Sequence, residues 1–326
     1  MSSQPVVVVL HGGEPPSARA MAPVAAHAEI RLTEAAGLAS ALEGADVVFA
    51  YDFLSTAIAQ TWHAMGSVQW VHVAAAGVDA LMSPQVRESD VVITNSRGVF
   101  DSSIAEYVLG QVLSFAKDLP GSLRLQQEHR WVHRESERVA GSRALVVGTG
   151  PIGRAIARLL RAAGLEVSGA GRRERTDDPD FGHVVGTDGL HEALGEADWV
   201  VAIAPLTDST KGMFDAAAFA AMRPTARLIN VGRGELVVTD DLVSALRSGQ
   251  VAGAALDVLD VEPPPADHPL WDLPGVMITP HNSGDFHGWR DALVELFVDN
   301  FERWSQGRQM DNIVDTSLGY VPTTGS

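Results

Sequence analysis

Residues 143–153 constrain the fold of this chain more than any other segment. An apolar run from Arg143 leads into Gly148, Gly150 and Gly153, which have the spacing G-x-G-x-x-G, and a helical pattern follows. The first glycine allows a tight turn, the second lets a pyrophosphate approach the backbone, and the third lets the helix pack on the strand. The start of the helix also directs unpaired N–H groups at phosphates. This pattern predicts a dinucleotide site, with an ordinary glycine turn as the alternative.

The end of the next predicted strand indicates which dinucleotide is bound. A site that prefers NAD has an acid there, which accepts hydrogen bonds from the ribose 2′-OH. This chain has Gly171 instead, followed by Arg172, Arg173 and Arg175. Arginine binds phosphate with a bidentate fork, so the pattern favours a clamp for the 2′-phosphate of NADP, with Arg172 as the main contact. A solvated basic turn is the alternative interpretation. We expect NADP(H) to be preferred and NAD(H) to be possible.

Short apolar runs alternate with helical patterns along the chain, which is typical of parallel sheets with crossover helices. The predicted strands are Pro5–Leu10, Asp46–Ala50, Trp70–Val73, Val91–Thr94, Arg143–Val147, Glu166–Ala170, Trp199–Ile203, Arg227–Val231, Gly253–Leu256 and Val276–Ile278. The predicted helices are Thr33–Glu43, Ser103–Lys117, Arg154–Ala163 and Gly288–Gln306.

These elements predict an α/β protein with two parallel-sheet domains of the Rossmann-like or flavodoxin-like type. Residues 99–285 hold the glycine turn and form the predicted dinucleotide-binding domain. The last predicted helix has too little chain after it for another domain, so we expect it to return to the first one. The first domain is then discontinuous, with residues 1–98 and 286–326.

Composition excludes several classes of protein. The chain has no cysteine, and no pair of its 11 histidines has convincing metal-site spacing, so we expect no metal. The net charge of −17 argues against nucleic acid or an anionic membrane as a partner. No apolar run approaches the ~20 residues of a membrane helix, and residues 1–10 lack the basic start of a secretory signal. We expect a cytoplasmic protein.

Three segments at the ends of later strands carry polar residues that core packing would not require. They are Asn230–Glu235, Ala255–Pro263 and Ile278–Asn282. Arg233 stands between two glycines, which we interpret as room for a ligand beside the guanidinium. A histidine and a carboxylate at neighbouring strand ends can form a general acid with its orienting partner. Reduction of a ketone by a nicotinamide needs such a cation and such a proton donor.

Five motifs in a specific order and spacing extend this reading over nearly the whole chain. They are Val147–Gly153, Ala204–Gly212, Asn230–Gly234, Asp257 through Glu262-Pro263, and Asp267–Trp271 through Thr279-Pro280-His281. Together they resemble the D-isomer-specific 2-hydroxyacid dehydrogenase family. The segment Asn95–Tyr107 resembles the start of the family's interdomain helix, although the family often has histidine at the position of Tyr107.

The resemblance implies reduction of 2-ketoacids to D-2-hydroxyacids in an active-site cleft between the two domains, with the discontinuous domain binding substrate. The implied catalytic residues are Arg233, which would bind the substrate carboxylate and polarise the keto oxygen, His281, which would protonate that oxygen, and Glu262, which would orient His281. The implied substrate-binding residues are Ala76, Gly77, Val78, Arg233 and His281.

The resemblance also implies a set of cofactor contacts. They are Gly148, Gly150, Pro151, Ile152, Gly153, Arg172, Arg173, Pro205, Thr210, Val231, Gly232, Asp257, His281 and Gly284. Asp257 is similar to a family position that meets the nicotinamide carboxamide. Capping of the turn after its strand is the alternative role for Asp257.

Within the family, the chain is most similar to glyoxylate and hydroxypyruvate reductases, which often prefer NADP. Formate dehydrogenases have glutamine at the position of Glu262, and the chain after the last predicted helix is too short for the regulatory domain of long phosphoglycerate dehydrogenases. The preferred substrate side chain stays open, with Tyr51, Phe53, Leu54 and Trp131 as candidates for its pocket. The family is usually dimeric, so we expect a homodimer, in which Trp131 is a candidate to reach the partner's site.

A different class of function stays open. Transcriptional corepressors of this family sense a dinucleotide and keep the same three catalytic residues, so a non-catalytic interaction protein on the same fold is the alternative. Those proteins usually add extended tails, and this chain has almost none. We therefore predict a 2-ketoacid reductase. Its physiological direction stays open, because one site catalyses both directions.

Overall fold

The computed structural model describes residues 4–53 and 55–322. Leu54, a predicted pocket residue, and residues 1–3, which belong to the segment 1–10 considered as a secretory signal, lie outside the described residues. The chain divides into two compact units, which we call unit 1 (Met1–Val99 with Phe286–Ser326) and unit 2 (Phe100–Asp285). The predicted domain bounds differ from these by one residue at the first boundary. The substrate-binding role predicted for the first domain stays a prediction.

Both units alternate strands and helices. The strands are β1 Val6–Leu10, β2 Glu29–Thr33, β3 Val47–Ala50, β4 Trp70–Val73, β5 Val92–Asn95, β6 Arg143–Val147, β7 Glu166–Ala170, β8 Arg175–Asp178, β9 Gly182–Val185, β10 Trp199–Ala202, β11 Arg227–Asn230, β12 Gly253–Leu256 and β13 Val276–Ile278. The helices are α1 Ala22–Ala25, α2 Leu38–Ala41, α3 Ala57–Gln60, α4 Pro84–Arg87, α5 Asp101–Ala116, α6 Leu119–Gln127, α7 Pro151–Ala162, α8 Leu190–Glu196, α9 Ala216–Ala221, α10 Thr239–Ser248 and α11 Trp289–Ser305. Short 3₁₀ turns lie at Ala35–Gly37, Trp62–Ala64, Asp79–Leu81, Thr187–Gly189 and Gly234–Leu236.

Unit 1 is built on a five-stranded parallel sheet in the order β2-β1-β3-β4-β5, which is the flavodoxin-like order. β1 lies inside the sheet and is buried along its whole length, as its uninterrupted valine run requires. The last helix, α11, completes this core, because Phe297 stacks on Phe49 of β3 with ring centroids 4.1 Å apart and lies 5.3 Å from Trp70. The C-terminal segment therefore shares one hydrophobic core with β1–β5.

Unit 2 is built on an eight-stranded sheet in the order β13-β12-β11-β10-β6-β7-β9-β8. The paired strands are parallel except β8, which is antiparallel to β9. Without the two edge strands β8 and β13, this is the Rossmann order 3-2-1-4-5-6, and the strand order reverses between β6 and β10. Ligands bind beyond the carboxyl ends of the strands at such a switch point. The predicted α/β class, with one flavodoxin-like and one Rossmann-like sheet, is confirmed.

The sequence pattern does not predict the strands β2, β8 and β9 or the helices α1, α3, α4, α6, α8, α9 and α10. The strands β2, β8 and β9 lie at sheet edges or next to them, and each exposes side chains. They lack the continuous apolar run that identifies a buried parallel strand. The predicted helix over Thr33–Glu43 is a 3₁₀ turn followed by the single turn of α2. The other predicted elements are present, with bounds shifted by at most three residues.

Among residues 4–53 and 55–322, no helix is long and apolar enough to cross a membrane. The same residues include no group of three or more histidine, aspartate or glutamate side chains placed to hold a metal ion.

Candidate active site

The turn between β6 and α7 is shaped by the three glycines predicted to bind the dinucleotide. Gly148 has φ +119°, and a Cβ on it would lie 2.5 Å from the backbone of Ile203. A Cβ on Gly153 would overlap the carbonyl oxygen of Gly148. At Gly150, by contrast, no described atom lies within 4 Å of the Cβ position. Gly148 and Gly153 keep the turn tight, and Gly150 leaves open space over the backbone, which fits a pyrophosphate.

The N-terminus of α7 faces the same turn. The helix begins at Pro151, and Gly150 precedes it in an extended conformation without a side-chain cap in the described structure. Proline suits this position because it has no N–H to leave unpaired. The N–H groups of Ile152 and Gly153 belong to the first turn and have no partner within the helix. These groups and the positive end of the helix dipole suit the phosphates of a dinucleotide.

Gly171, at the end of β7, is crowded by the glycine turn. A Cβ on Gly171 would lie 3.0 Å from Oγ1 of Thr149 and 3.7 Å from Cγ1 of Val184. Thr149 is the residue between Gly148 and Gly150, so its side chain packs over the end of β7. A side chain at position 171 would require the Thr149 hydroxyl to move by a few tenths of an ångström. The chain therefore has no acid, and a crowded Cβ position, where NAD-preferring sites bind the ribose diol.

The three arginines after β7 have different environments. Arg172 and Arg173 are exposed, whereas Nε of Arg175 donates to Oδ2 of Asp178 at 3.1 Å. Arg154 of α7 binds both oxygens of the same carboxylate, at 2.9 and 3.0 Å. Burial opposes the charge of Asp178, but the hydrogen bonds from Arg154 and Arg175 outweigh it, and the pKa of Asp178 lies well below its usual range. Arg175 therefore anchors the β8–β9 hairpin, and Arg172 and Arg173 stay candidates for the clamp.

Two neighbouring strand ends bring His281 and Glu262 together. β12 and β13 are parallel neighbours, so the segments that follow them leave the same edge of the sheet. Nδ1 of His281 and Oε2 of Glu262 are 2.8 Å apart, and the two side chains are 33% and 34% exposed. Because the Nδ1–H donates to the carboxylate, Nε2 is the nitrogen that can face a substrate. This is the geometry of a general acid held by an orienting carboxylate.

The second oxygen of Glu262 fixes the carboxylate. Oε1 accepts a hydrogen bond from the backbone N–H of Leu259 at 2.9 Å. Burial disfavours the charged carboxylate, but the hydrogen bonds from His281 and Leu259 and the positive charges of His281 and Arg233 outweigh it and lower the pKa of Glu262. Glu262 is therefore ionised at neutral pH, and its carboxylate accepts the hydrogen bond that orients the imidazole of His281.

Arg233 lies in the turn after β11, the strand next to β12. The buried side chain of Asn230 ties this turn, since its Oδ1 accepts from the N–H of Gly232 at 3.1 Å and its Nδ2 donates to the carbonyl oxygen of Arg233 at 2.9 Å. Nη1 of Arg233 also donates to the carbonyl oxygen of Gly232 at 2.8 Å. The positive charge of Arg233 contributes to the lowered pKa of Glu262, so the structure brings all three predicted catalytic residues together within unit 2.

The two glycines that flank Arg233 have close packing neighbours. A Cβ on Gly234 would overlap the backbone of Leu259, and a Cβ on Gly232 would lie 2.8 Å from Cδ1 of Leu236. Packing inside unit 2 therefore requires glycine at position 234 and crowds position 232. Gly234 lets the turn of Arg233 pack against the loop that follows β12. Room for a ligand beside the guanidinium stays a prediction.

Asp257 caps the turn that carries His281. Its carboxylate, in a residue that is 2% exposed, accepts hydrogen bonds from Oγ1 of Thr279 at 2.6 Å and from the N–H groups of Asn282 and Ser283 at 3.0 and 2.9 Å. Its carbonyl oxygen accepts from the N–H of His281 at 2.8 Å. His281 has φ +51°, in the left-handed region that residues with a Cβ rarely adopt. The bonds to Asp257 hold it there, so Asp257 caps the turn after the neighbouring strand β13 and not the predicted turn after its own strand. Contact with a nicotinamide stays a prediction.

The remaining predicted cofactor contacts have packing partners in unit 2. Oγ1 of Thr210 donates to the carbonyl oxygen of Pro205 at 2.6 Å and closes the loop after β10. Val231 is buried in the core, which leaves its backbone as the part that can meet a ligand. A Cβ on Gly284 would lie 3.0 Å from the ring of Phe100. The cofactor roles of these residues stay predictions.

In unit 1, the loop predicted to bind a carboxylate follows β4. The carbonyl oxygen of Ala76 accepts a hydrogen bond from the side-chain amide of Asn95, which holds the loop. Within residues 4–53 and 55–322, no acceptor takes the N–H of Ala76, Gly77 or Val78. These N–H groups are placed to donate, and their predicted role in binding a carboxylate stays a prediction.

The candidates for a substrate side-chain pocket lie apart in the chain. Phe53 lines a shallow pocket of unit 1 together with Gly77 and Val78, and the ring of Tyr51 lies 5.5 Å from the buried ring of Phe49. Leu54 lies outside the described residues. Trp131, in unit 2, is fully exposed.

Two residues that shape the site were not assigned a role from the sequence. Asn230 ties the turn of Arg233, and Thr279 donates to Asp257 beneath His281. Both are polar residues at the ends of predicted strands, and that position is the sequence signal that identifies them. Their partners lie on other segments, so the hydrogen bonds themselves have no sequence signature.

Comparison with known proteins agrees with this arrangement. The family model described as "D-isomer specific 2-hydroxyacid dehydrogenase, NAD binding domain" matches residues 109–283. The human protein named glyoxylate reductase/hydroxypyruvate reductase is 30% identical over 72% of this chain and 73% of its own length. A D-isomer specific 2-hydroxyacid dehydrogenase from Xanthobacter autotrophicus, solved with NADPH and MES, is 29% identical, covers 98% of this chain and 100% of its own, and superimposes with a TM-score of 0.83.

A further solved structure is similar over the same extent. It is an NADPH-dependent glyoxylate/hydroxypyruvate reductase from Sinorhizobium meliloti, in complex with NADP and sulfate. It is 26% identical, covers 98% of this chain and 100% of its own, and has a TM-score of 0.82.

Proposed function

Because the chain belongs to the D-isomer specific 2-hydroxyacid dehydrogenase family, we propose that it reduces small 2-ketoacids, such as glyoxylate or hydroxypyruvate, to D-2-hydroxyacids with NADPH. One observation carries the proposal. His281 and Glu262 lie 2.8 Å apart after β13 and β12 of unit 2, and the turn of Arg233 follows the next strand, β11. A proton donor beside a cation suits reduction of a carbonyl group that is bonded to a carboxylate. The names of the human and Sinorhizobium proteins support the same substrate class.

The substrate is bound through its carboxylate in this proposal. The guanidinium of Arg233 forms charge-assisted hydrogen bonds with the carboxylate and the keto oxygen, which polarises the carbonyl group. In unit 1, the N–H groups of Ala76, Gly77 and Val78 stay separate candidates for binding a carboxylate. The contacts proposed for Arg233 suit any small 2-ketoacid, so the side chain of the substrate is selected by other residues.

His281 supplies the proton of the reduction. The glycine turn at Gly148–Gly153 would hold the dinucleotide phosphates, and NADPH, when bound, would supply a hydride to the carbonyl carbon. The proton on Nε2 of His281 moves to the carbonyl oxygen, which becomes the hydroxyl group. Glu262 holds the imidazole through Nδ1, so that Nε2 is directed at the carbonyl oxygen. In the oxidation direction, neutral His281 accepts the hydroxyl proton.

The test of the activity is a substrate panel measured by absorbance at 340 nm. We expect NADPH consumption with glyoxylate or hydroxypyruvate, and chiral analysis of the product should give the D isomer wherever the product is chiral. Pyruvate and phenylpyruvate measure the tolerance for a longer side chain. If NADPH binds but none of the four ketoacids is reduced, the reductase proposal is wrong and a dinucleotide-sensing role is favoured.

Removal of the charge on Glu262 should change the pH dependence of reduction. Reduction needs protonated His281, and the negative charge of Glu262 favours that form. In Glu262→Gln the imidazole loses its proton at lower pH, so the basic limb of the kcat profile should move to lower pH. Glu192→Gln, an exposed carboxylate in the first turn of α8, is the matched control. An unchanged basic limb in Glu262→Gln would show that the limb reports a different group.

The preference for NADPH rests on the surroundings of Gly171. This position has no acid to accept bonds from a ribose diol, and Arg172 follows it directly. A hydrogen bond to a charged group contributes about 1.5–3 kcal/mol. Since about 1.4 kcal/mol is a factor of ten, one arginine–phosphate contact predicts roughly a 10–100-fold preference for NADPH. The preference should weaken as salt is added, because Arg172 is exposed.

The cofactor test is kcat/KM for NADPH and NADH at fixed low ionic strength. We expect Arg172→Ala to remove most of the preference by weakening NADPH, with little change for NADH. Arg247→Ala, an exposed arginine in the last turn of α10, is the matched control. Equal use of both cofactors by the wild type contradicts the clamp. A preference that survives Arg172→Ala but falls in Arg173→Ala moves the contact to Arg173.

We also propose that the protein is a homodimer that associates through part of unit 2. Large apolar side chains are exposed on α6 and the segment after it: Leu119 at 47%, Leu123 at 60%, Trp131 at 101% and Val132 at 43%. Monomeric proteins seldom expose such a cluster. Light scattering on a sizing column should give twice the chain mass, and Leu123→Ser with Trp131→Ser should give the monomer. Trp271→Ser is the control. A monomeric wild type contradicts the proposal.

A cytoplasmic location likewise stays a proposal.

A further inference from the structure

The first turns of α5 hold the turn that carries His281. Oγ of Ser103 donates to the carbonyl oxygen of Ser283 at 3.2 Å, and the hydroxyl of Tyr107 lies 2.6 Å from Oγ1 of Thr279. Ser103 and Tyr107 are four residues apart and therefore share one face of the helix. The helix thus contacts the turn on both sides of His281.

The hydrogen bonds of Thr279 have one consistent direction. Its hydroxyl has a single proton, which it donates to Oδ1 of Asp257 at 2.6 Å, because an ionised carboxylate can only accept. Thr279 must then accept from Tyr107, 2.6 Å away. The proton of Tyr107 is therefore committed to a chain that runs from Tyr107 through Thr279 to Asp257.

The end of this chain is the group that holds His281. Besides Thr279, the Asp257 carboxylate accepts from the N–H groups of Asn282 and Ser283, and its backbone accepts from the N–H of His281. A buried carboxylate needs its hydrogen bonds, because an unmade one leaves a desolvated charge. Loss of one donor therefore makes the position of the Asp257 carboxylate less fixed. The left-handed backbone of His281, which Asp257 holds, then becomes less fixed as well.

We propose that Tyr107 is a positioning residue for His281: through Thr279 and Asp257 it fixes the imidazole against Glu262. The inference deepens the proposed reductase function, in which His281 is the proton donor. Tyr107 itself does not transfer a proton. Burial raises the pKa of Tyr107 to about 12, so the hydroxyl keeps its proton, and the chain stays complete, across the pH range of the assay.

The kinetic test compares Tyr107→Phe with the wild type. The variant removes one hydroxyl and keeps the ring, so we expect kcat to fall by about 3–10-fold, the scale of one neutral hydrogen bond. KM for the ketoacid and the Kd of NADPH should change less than twofold. Thr279→Val should lower kcat to the same extent. Thr279→Ser should keep kcat near the wild-type value, because serine keeps the hydroxyl that donates to Asp257. Tyr320→Phe in unit 1 is the matched control.

A double-mutant cycle with Glu262 separates positioning from a loss of stability. If Tyr107 acts by holding His281 against Glu262, Tyr107→Phe should move the basic limb of kcat to lower pH. It should have no such effect in the Glu262→Gln background, because the contact that it supports is already lost. An equal effect in both backgrounds, or a fall in kcat with an unmoved limb, overturns the inference.

A measurement without turnover distinguishes this inference from the proposed function. The ¹⁵N resonances of the His281 imidazole, assigned with His281→Asn, report its protonation in the NADP-bound protein. We expect the midpoint of this titration to lie at lower pH in Tyr107→Phe than in the wild type. A shifted midpoint without activity supports positioning and rejects the reductase. An unshifted midpoint in an active enzyme rejects positioning and leaves the reductase in place.

Discussion

Replacement of His281 by alanine is expected to lower kcat for ketoacid reduction by about 10²–10⁴-fold, the usual contribution of a positioned general acid. Nδ1 of this histidine is bound to Glu262 at 2.8 Å, so its other nitrogen is the donor that the carbonyl oxygen would meet. Without the imidazole, the developing alkoxide must take its proton from water. The loss should appear in kcat more than in KM, because the proton is transferred in the transition state.

The same variant should bind NADPH nearly as tightly as the wild type. The phosphates are expected at the glycine turn between β6 and α7, which belongs to a different strand end from His281. Fluorescence titration of NADPH checks this, and it distinguishes lost catalysis from lost folding. His191→Ala, an exposed histidine on α8, is the matched control. Near-normal turnover by His281→Ala would remove this residue from the mechanism.

The parts of the fold that the sequence predicts are those with a local physical cause. The valine run of β1 must be buried on both faces, and the glycine spacing of residues 148–153 must form a tight turn before a helix, whatever the rest of the chain does. The edge strand β2 and the β8–β9 hairpin have no such local cause. The hairpin depends on Asp178, whose carboxylate is bound by arginines from two different elements.

The catalytic residues could be predicted because chemistry restricts which residues stand at strand ends. Arg233, Glu262 and His281 follow three neighbouring strands of one sheet, so their sequence positions already place them at one edge. The reason for the glycines beside Arg233 could not be predicted in the same way. Gly234 is required because the backbone of Leu259 passes over it, and that contact joins segments that the sequence does not pair.

The support beneath His281 shows the same limit at longer range. Tyr107 and Thr279 are 172 residues apart in the chain, and their hydroxyl groups are 2.6 Å apart in the structure. Either hydroxyl alone predicts nothing, since tyrosine and threonine occur in many helices and loops without a structural role. Similarly, the crowding of Gly171 by Thr149 joins the end of one strand to the turn that follows another. Preference for a cofactor is therefore only partly readable from the residue at the strand end.

Arg233→Lys is expected to lower kcat/KM for ketoacids by about 10²-fold, although it keeps the positive charge. Lysine cannot form the planar, bidentate contact that arginine makes with a carboxylate. One lost hydrogen bond to a charged group corresponds to about 1.5–3 kcal/mol, which is roughly a 10–100-fold change. We expect KM to rise because the substrate carboxylate is bound less well. We also expect kcat to fall, because the contact of Arg233 with the keto oxygen becomes stronger in the transition state, where negative charge develops on that oxygen.

The split between KM and kcat decides the role of Arg233. An increase in KM with unchanged kcat would make this residue a binding anchor, and the polarising role would be wrong. Glu262 also depends on Arg233, whose charge helps to lower the pKa of that carboxylate. In Arg233→Ala, Glu262 should therefore take up its proton at higher pH than in the wild type, and the acid limb of kcat should move to higher pH. Lysine at position 233 should keep the acid limb near its wild-type position, because it keeps the charge. Arg247→Lys is the matched control. Equal acid limbs of kcat in the Arg233→Ala and wild-type enzymes would show that the charge of Arg233 does not lower the pKa of Glu262.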